Sequence, residues 1–260
     1  MLEPNPLITI ITIAYNCADC IEKTILSVIS QSFTDYEYII IDGGSNDGTC
    51  DIIKKYEKSI TFWSSKRDRG ISDAFNIGIK RASGTYINLL NAGDIYLDEY
   101  ILQKIEPHLV TPIVNFRYYL KHLGLFSLPV NPDAKFEERA LLGHQATFVH
   151  KDVYDSFGGY ALSYKIRMDY DFFLRTLPHV ELKVVDLFVV DYNAGVSGSW
   201  RNKFRFEAEG LIAIYLNLRK NDFYITRVLI VPFYRIGLNL LKNIIKSIFP
   251  FLKRKPEPEF

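Results

Sequence analysis

Two Ile-rich apolar runs, Leu7 to Ala14 and Tyr38 to Ile41, lie one helical segment apart near the start of the chain. Near-continuous apolar strands of this kind are buried on both faces, which calls for a parallel sheet covered by helices on each side. Between them Asp19 and Glu22 have the spacing of a capping box, and Ile21, Ile25, Val28 and Ile29 share one helical face. A right-handed strand–helix–strand crossover is the expected result. The alternation continues with expected strands at Ile60 to Ser64, Thr85 to Leu90 and Ile113 to Tyr119, and helices near Thr49 to Glu57, Ser72 to Arg81 and Leu97 to Pro107.

From Leu120 to Phe136 the pattern loosens around Pro129 and Pro132, then returns with a short strand at His144 to Val149, a helix at Lys151 to Phe157 and a turn at Gly158-Gly159. The end of the chain differs in kind. Arg235, Asn239, Lys242, Asn243 and Lys246 line one stripe of an otherwise apolar helix, and three basic residues inside it argue for a helix lying in a membrane interface over one that spans it. We expect a catalytic domain over 1–222 and a helical tail over 223–260 that meets a membrane or a second copy of the chain.

Charge separates the same two parts. Thr226 to Phe260 holds seven Lys/Arg against two Glu, so a chain of net charge +1 leaves about −4 on the rest, which excludes nucleic-acid binding there. Three cysteines are too few for a disulfide scaffold, and no basic segment precedes the first apolar run, so a reduced, cytoplasmic setting is expected. The pair Cys17-Ala18-Asp19-Cys20 has redox spacing, but nothing else in the sequence supports redox chemistry.

The chemistry-bearing residues follow the strands. Asp42-Gly43-Gly44-Ser45-Asn46-Asp47-Gly48-Thr49 begins where the second strand ends, the edge at which open α/β sheets bind ligands. Asp42 there can accept from a base N–H or a ribose hydroxyl, whereas Asp47 reads as part of a Gly-rich turn near the N-cap of the next helix. The glycines fall in the second strand–helix connection and not the first, which excludes a Rossmann fingerprint. Arg67-Asp68-Arg69-Gly70-Ile71-Ser72-Asp73-Ala74-Phe75-Asn76 repeats the arrangement, with Gly70 permitting a tight turn and two carboxylates at a helix entrance. A third strand end gives Asn91-Ala92-Gly93-Asp94, where one carboxylate makes an acceptable Mg²⁺ or Mn²⁺ site once a diphosphate supplies further oxygens.

Together with Ile11-Thr12-Ile13-Ala14-Tyr15-Asn16, His144-Gln145 and Met168-Asp169-Tyr170-Asp171, these segments resemble glycosyltransferase family 2, an inverting family with the GT-A fold, and especially its bacterial polysaccharide-assembly branch. The resemblance implies an α/β GT-A domain with a mostly parallel central sheet and helices on both faces, followed by the amphipathic helical tail. It implies that Ala14, Asn16, Asp42 and Asp68 line a nucleoside pocket, with Gly43, Gly70, Asp73 and Asn76 in the same donor site. Asp94 ends a D-x-D-like motif for Mn²⁺ or Mg²⁺, although Gly93 stands where many members carry a second acid. His144 and Gln145 fall at the wall near the acceptor.

The implied activity is transfer of a hexosyl or N-acetylhexosaminyl group from a nucleotide diphosphate donor, UDP by family frequency, to a hydroxyl of a glycan or lipid-linked acceptor. The setting is the inner face of a cell membrane. The rival from another class is an inactive nucleotide-sugar-binding or scaffolding protein of the same fold. A nucleotidyltransferase would need an early Gly-rich, Arg-containing phosphate loop that is absent. For the base, Asp169 and Asp171 compete. Asp171 lies four residues before Arg175, which gives it an ion-pair role. Asp169 opens a helix whose N-terminal dipole favours a negative charge and matches the family's acid, so it is the expected base.

Overall fold

The structure, a computed structural model, describes residues 5–127, 130, 142–193 and 202–218. Its strands are β1 (Ile8–Ala14), β2 (Tyr36–Asp42), β3 (Phe62–Ser65), β4 (Tyr86–Leu89), β5 (Ile95–Tyr96), β6 (Ile113–Leu120), β7 (Leu125–Phe126), β8 (Thr147–His150) and β9 (Leu182–Asp191). Helices are α1 (Ile21–Ile29), α2 (Thr49–Lys55), α3 (Ile71–Arg81), α4 (Ile101–Ile105), α5 (Lys151–Phe157), α6 (Met168–Thr176) and α7 (Lys203–Leu218). They build one mixed sheet of order β3-β2-β1-β4-β8-β6-β9-β5, with β7 paired to β6. The first four strands are parallel, as the apolar runs require. The second half inserts β8 antiparallel to both β4 and β6.

Side-chain alternation along β1 assigns the two faces. Ile8 and Ile10 enter a cluster with Ile21, Ile25 and Val28 of α1, Ile53 of α2 and Ile101, Leu102 and Ile105 of α4. Ile11 points the other way, where α3 comes so close that a Cβ added at Gly78 would lie 2.5 Å from Ile11 Cγ2. Each fully buried Ile or Leu here contributes about 1.5–3 kcal/mol relative to an exposed one, so the sheet that carries the loops is rigid.

Three local expectations are corrected. The capping box is not formed: α1 starts after Cys20, no side chain caps it, and Glu22 instead accepts from the Tyr56 hydroxyl at 2.8 Å. His144 and Gln145 lie on a 3-10 turn preceding β8, because the strand pairs with its neighbours only from Thr147 onward. The helix expected from Asp169 starts one residue earlier, at Met168. The chain divides into units 1–210 and 211–260. The tail assigned to 223–260 lies outside the described residues, and no helix among the described residues is long and apolar enough to cross a membrane.

Candidate active site

The parallel register sets Ala14, Asp42 and Ser65 side by side at the carboxyl ends of β1, β2 and β3. Asp42 is fully buried. Its carboxylate accepts from the Gly44 and Ser45 N–H groups, from the Ser45 and Ser65 hydroxyls and, at 3.4 Å, from the Cys50 thiol. Burial pushes its pKa up, but the Ser45 and Ser65 hydrogen bonds outweigh that and hold it below the usual carboxylate value. Asn16 takes a left-handed φ of 47°, and its side-chain oxygen accepts from Asn46 N–H at 3.0 Å while its own N–H donates to Ser45 Oγ at 2.7 Å. Asp47 accepts from Ala18 N–H, Thr49 N–H and the Thr49 hydroxyl; it lies one residue before the N-cap of α2, which is Gly48 and has no side-chain cap. The first two strand–helix loops are thereby joined into one scaffold.

Tyr15, Gly43 and Asp68 lie together beside it. Tyr15 is 66% exposed. A Cβ added at the buried Gly43 would meet Asp68 Oδ2 at 2.9 Å and the Tyr15 ring at 3.3 Å. Asp68 Oδ1 accepts from Gly70 N–H at 2.7 Å, which aims Oδ2 across Gly43. A flat ring beside an aimed carboxylate oxygen suits a nucleobase, which presents a face and an N–H.

Asp73 and Asn76 are engaged by the protein itself. Asp73 accepts from the Arg69 backbone N–H and from its guanidinium at 2.9–3.1 Å. Asn76 brackets Tyr160, donating to its carbonyl at 2.8 Å and accepting from its N–H at 2.7 Å. Gly70 turns the chain into α3, and Lys165 Nζ donates to the adjoining Arg69 carbonyl at 3.1 Å.

The turn after β4 is held by Leu90 N–H donating to Ile11 and Ala92 N–H donating to Ile13. Gly93 has φ of 101°, a conformation costly for any residue with a Cβ, and its N–H donates to Thr24 Oγ1 at 2.8 Å. Asp94 follows, 1% exposed. Its Oδ1 accepts from Asn193 N–H at 2.9 Å, but its Oδ2 is buried without a hydrogen-bond partner. Burial pushes the carboxyl up to about 6, against the opposing pull of the Asn193 N–H, the His144 ring and the Asn91 amide. An unpaired, buried carboxylate oxygen fits a cation or a proton. Among the described residues no group of three His, Cys, Asp or Glu is arranged to hold a metal, so a cation here would have Asp94 as its carboxylate ligand and draw others from a bound diphosphate.

The third part of the site joins this turn to α6. Asn91 Nδ2 lies 2.9 Å from His144 Nε2, and His144 Nδ1 lies 3.1 Å from Asp169 Oδ2. Asp169 Oδ1 accepts from Tyr170 N–H at 2.8 Å. The sequence left Asp169 without a partner, and the fold supplies His144. Asp171, as expected, pairs with Arg175 at 3.3 Å, while that guanidinium also donates to the Phe157, Gly158 and Gly159 carbonyls. The loop leading into α6 is clamped by Glu209, which accepts from the N–H groups of Lys165, Ile166 and Arg167 at 2.8–3.1 Å. Gln145 is buried, and its carbonyl accepts from Asn88 Nδ2.

Asp94, Asn91, His144 and Asp169 thus form one connected set, with Tyr15, Gly43 and Asp68 forming another. Sequence reasoning gave no role to Tyr15, Asn91, Asn193 or Glu209. Tyr15 and Asn91 sat inside recognised motifs and were legible there. Asn193 and Glu209 act through a backbone N–H or across some forty residues, which no local pattern announces.

The sequence profile of glycosyl transferase family 2 matches residues 9–150. An uncharacterised glycosyltransferase of Mycobacterium tuberculosis is 29% identical over 205 residues, 75% of this chain and 78% of that protein. TuaG of Bacillus subtilis, whose name places it in teichuronic acid biosynthesis, is 36% identical over 109 residues, 41% of this chain and 43% of its own. Among solved structures, S. aureus TarS 1-349 in complex with UDP-GlcNAc aligns at a TM-score of 0.65 and 14% identity over 80% of this chain and 66% of that one. The mannosyltransferase PcManGT from Pyrobaculum calidifontis, in complex with GDP-Man and Mn²⁺, aligns at 0.65 and 15% over 83% of this chain and 65% of that one. The chain thus spans about two thirds of each of these solved chains. At such identities the likeness shows the fold, which is the GT-A-like α/β fold expected from the sequence.

Proposed function

The chain belongs to glycosyl transferase family 2, and from that premise we propose that it is an inverting glycosyltransferase that moves a sugar from a nucleotide diphosphate, of which UDP is the favoured one, to a hydroxyl of a glycan or lipid-linked acceptor in cell-surface polysaccharide synthesis. The observation that carries this reading is the set that runs from Asp94, whose backbone N–H donates to Asn91 and whose Oδ2 is left unpaired, through the Asn91 side chain and His144 to Asp169. It puts a cation-fitting carboxylate and a proton acceptor in the same site, the two things that nucleotide-sugar cleavage requires. UDP-GlcNAc in one structural neighbour and GDP-Man with Mn²⁺ in another support a donor and a metal of these classes.

In this mechanism Asp68 and Tyr15 receive the nucleobase over Gly43, within a frame built by Ala14, Asn16 and Asp42. Asp94 offers its free oxygen to Mn²⁺ or Mg²⁺, which when bound supplies charge stabilisation to the departing diphosphate. Asp169 accepts the proton of the acceptor hydroxyl as that oxygen attacks the anomeric carbon opposite the leaving group. A single displacement inverts the centre, so an α-linked donor gives a β-linked product with no covalent enzyme intermediate. Asp171 is taken up by Arg175 and serves stability.

The test is a thermal-shift screen against UDP-, GDP- and dTDP-sugars, followed by turnover of the donor that binds. Asp169→Asn should keep donor affinity and lose at least ~10²-fold in kcat, the usual contribution of a positioned base. Asp94→Ala should abolish Mn²⁺-dependent turnover while leaving the fold intact, and surviving activity would show the metal site is wrongly placed. Retained turnover in Asp169→Asn overturns the base, and tight UDP binding with no turnover of any donor points to a binding protein.

We extend the proposal to location: residues 223–260, with Lys253-Arg254-Lys255 near their end, hold the enzyme at the inner face of a membrane, where anionic lipid attracts each basic residue by about 1 kcal/mol. Truncation after Asn221 should abolish flotation with anionic liposomes. Unchanged flotation removes the membrane role.

A further inference from the structure

The contacts around His144 fix its chemistry as well as its place. An amide Nδ2 carries two hydrogens and accepts none, so Asn91 Nδ2, 2.9 Å from His144 Nε2, donates and Nε2 accepts. The other side of the ring requires the same tautomer, because the Asp169 carboxylate only accepts and the nitrogen facing it must donate. With Nε2 accepting, the ring proton sits on Nδ1, which donates to Asp169 Oδ2 at 3.1 Å. The imidazole is held from both nitrogens, and Phe75 packs against it edge-on with ring centroids 5.7 Å apart. The Asp169 carboxylate is held from both oxygens, since Tyr170 N–H donates to Oδ1.

We propose that His144 is a positioning residue: it sets the rotation of the Asp169 carboxylate and ties it to the Asn91–Asp94 turn, so that the base is aligned by the same turn that carries the donor-side carboxylate. This rests on the reading of Asp169 as the base. It differs from an acceptor-binding role, in which the ring nitrogens would be free for substrate. Both are occupied by protein groups, and a carboxylate free to rotate would present its accepting lone pair to the hydroxyl only part of the time. Misplacement on the ångström scale is enough to lower a rate about 10²-fold.

Two measurements on the full chain separate these ideas. The first needs no substrate: with histidine nitrogens labelled, the imidazole ¹⁵N spectrum of the five histidines is recorded, and His144 is identified by its loss in His144→Asn. His144 should carry its proton on Nδ1, and its Nδ1 signal should move in Asp169→Asn and its Nε2 signal in Asn91→Leu. A proton on Nε2, or a His144 signal indifferent to Asp169→Asn, overturns the inference.

The second uses whichever donor sugar the wild type turns over in the screen above. His144→Asn places an N–H near the Nδ1 position and should keep kcat within about threefold, whereas His144→Gln, which reaches the Nε2 position only, should lose about tenfold or more with donor KM little changed. Equal loss in both variants overturns the positioning role even where Asp169→Asn is inactive. An active Asp169→Asn overturns the base instead, and the nitrogen spectrum still reports whether His144 and Asp169 are joined.

Discussion

Asp42 ends the parallel strand β2 and Asp94 closes the turn that follows the parallel strand β4, and each is buried to 1% exposure or less. Their surroundings are opposite. Asp42 accepts from two backbone N–H groups, two hydroxyls and a thiol, and its pKa is held down. Asp94 has one oxygen paired with Asn193 and the other with nothing, and its pKa is pushed up to about 6. A carboxylate that the protein has already satisfied holds the protein together. One that the protein buries and leaves unsatisfied raises the free energy of the empty site, and that penalty is relieved by whatever supplies the missing charge or proton.

Removing the charge of each acid should therefore move stability in opposite directions. Asp42→Asn loses several charge-assisted hydrogen bonds worth about 1.5–3 kcal/mol each and not fully additive, so urea unfolding at pH 7 should show a loss of roughly 4 kcal/mol. A loss below about 1 kcal/mol would mean the loop does not depend on its carboxylate.

Asp94→Asn should instead stabilise the protein freed of divalent ions by chelator. A folded pKa raised from 3.8 to about 6 means the folded state holds the proton more tightly than the unfolded one. The contribution is fully present below the unfolded pKa and is lost as pH rises through about 6. At pH 8 the wild type carries the full penalty, about 3 kcal/mol at 1.36 kcal/mol per pKa unit, and the amide does not. Unfolding curves at pH 8 and pH 4 check this. If the variant is the less stable protein at both, the unpaired oxygen is not a strain on the fold.

The parallel half of the sheet was legible because its first two strands declare themselves by near-continuous apolar runs and the alternation of strands and helices carries on from them, and the strand-end acids follow from that. The Asp171–Arg175 pair was legible because its partners are four residues apart on one helix. What was hidden depends on sheet order. Insertion of β8 between β4 and β6 brings the turn at His144 beside Asn91, and no periodicity within either segment encodes that neighbour. Strand pairing in the second half likewise decides that Asn193, just past β9, meets Asp94. Whether a carboxylate is saturated is a property of such distant partners, so the sequence could place Asp42 and Asp94 but not say which of them the protein satisfies.

Asp171 extends the contrast to the base helix, where one acid is bound by Arg175 and the other faces the site. Asp171→Asn keeps an acceptor for Arg175 but loses the charge, so a stability loss of about 2 kcal/mol is expected with kcat within a few-fold of wild type. Turnover lost at Asp171 and kept at Asp169 would exchange their roles.

The smallest expected effect tests the division of labour at the nucleotide end. If Asp42 is a scaffold, recognition of the base falls to Asp68 and Tyr15, and Gly43 is the floor between them. Gly43 has no left-handed φ, so alanine meets no backbone strain there. Its Cβ would lie 2.9 Å from Asp68 Oδ2, too close to keep, and the movable carboxylate rather than the sheet would give way. Stability should change by less than about 1 kcal/mol, because a side-chain end can shift by a few tenths of an ångström without disturbing the core. UDP affinity, measured by calorimetry, should fall by about three- to tenfold, corresponding to about 0.7–1.4 kcal/mol, since the displaced oxygen no longer aligns with the base. Unchanged UDP affinity would show that the nucleobase does not sit over Gly43, and would return the contact to the saturated loop around Asp42.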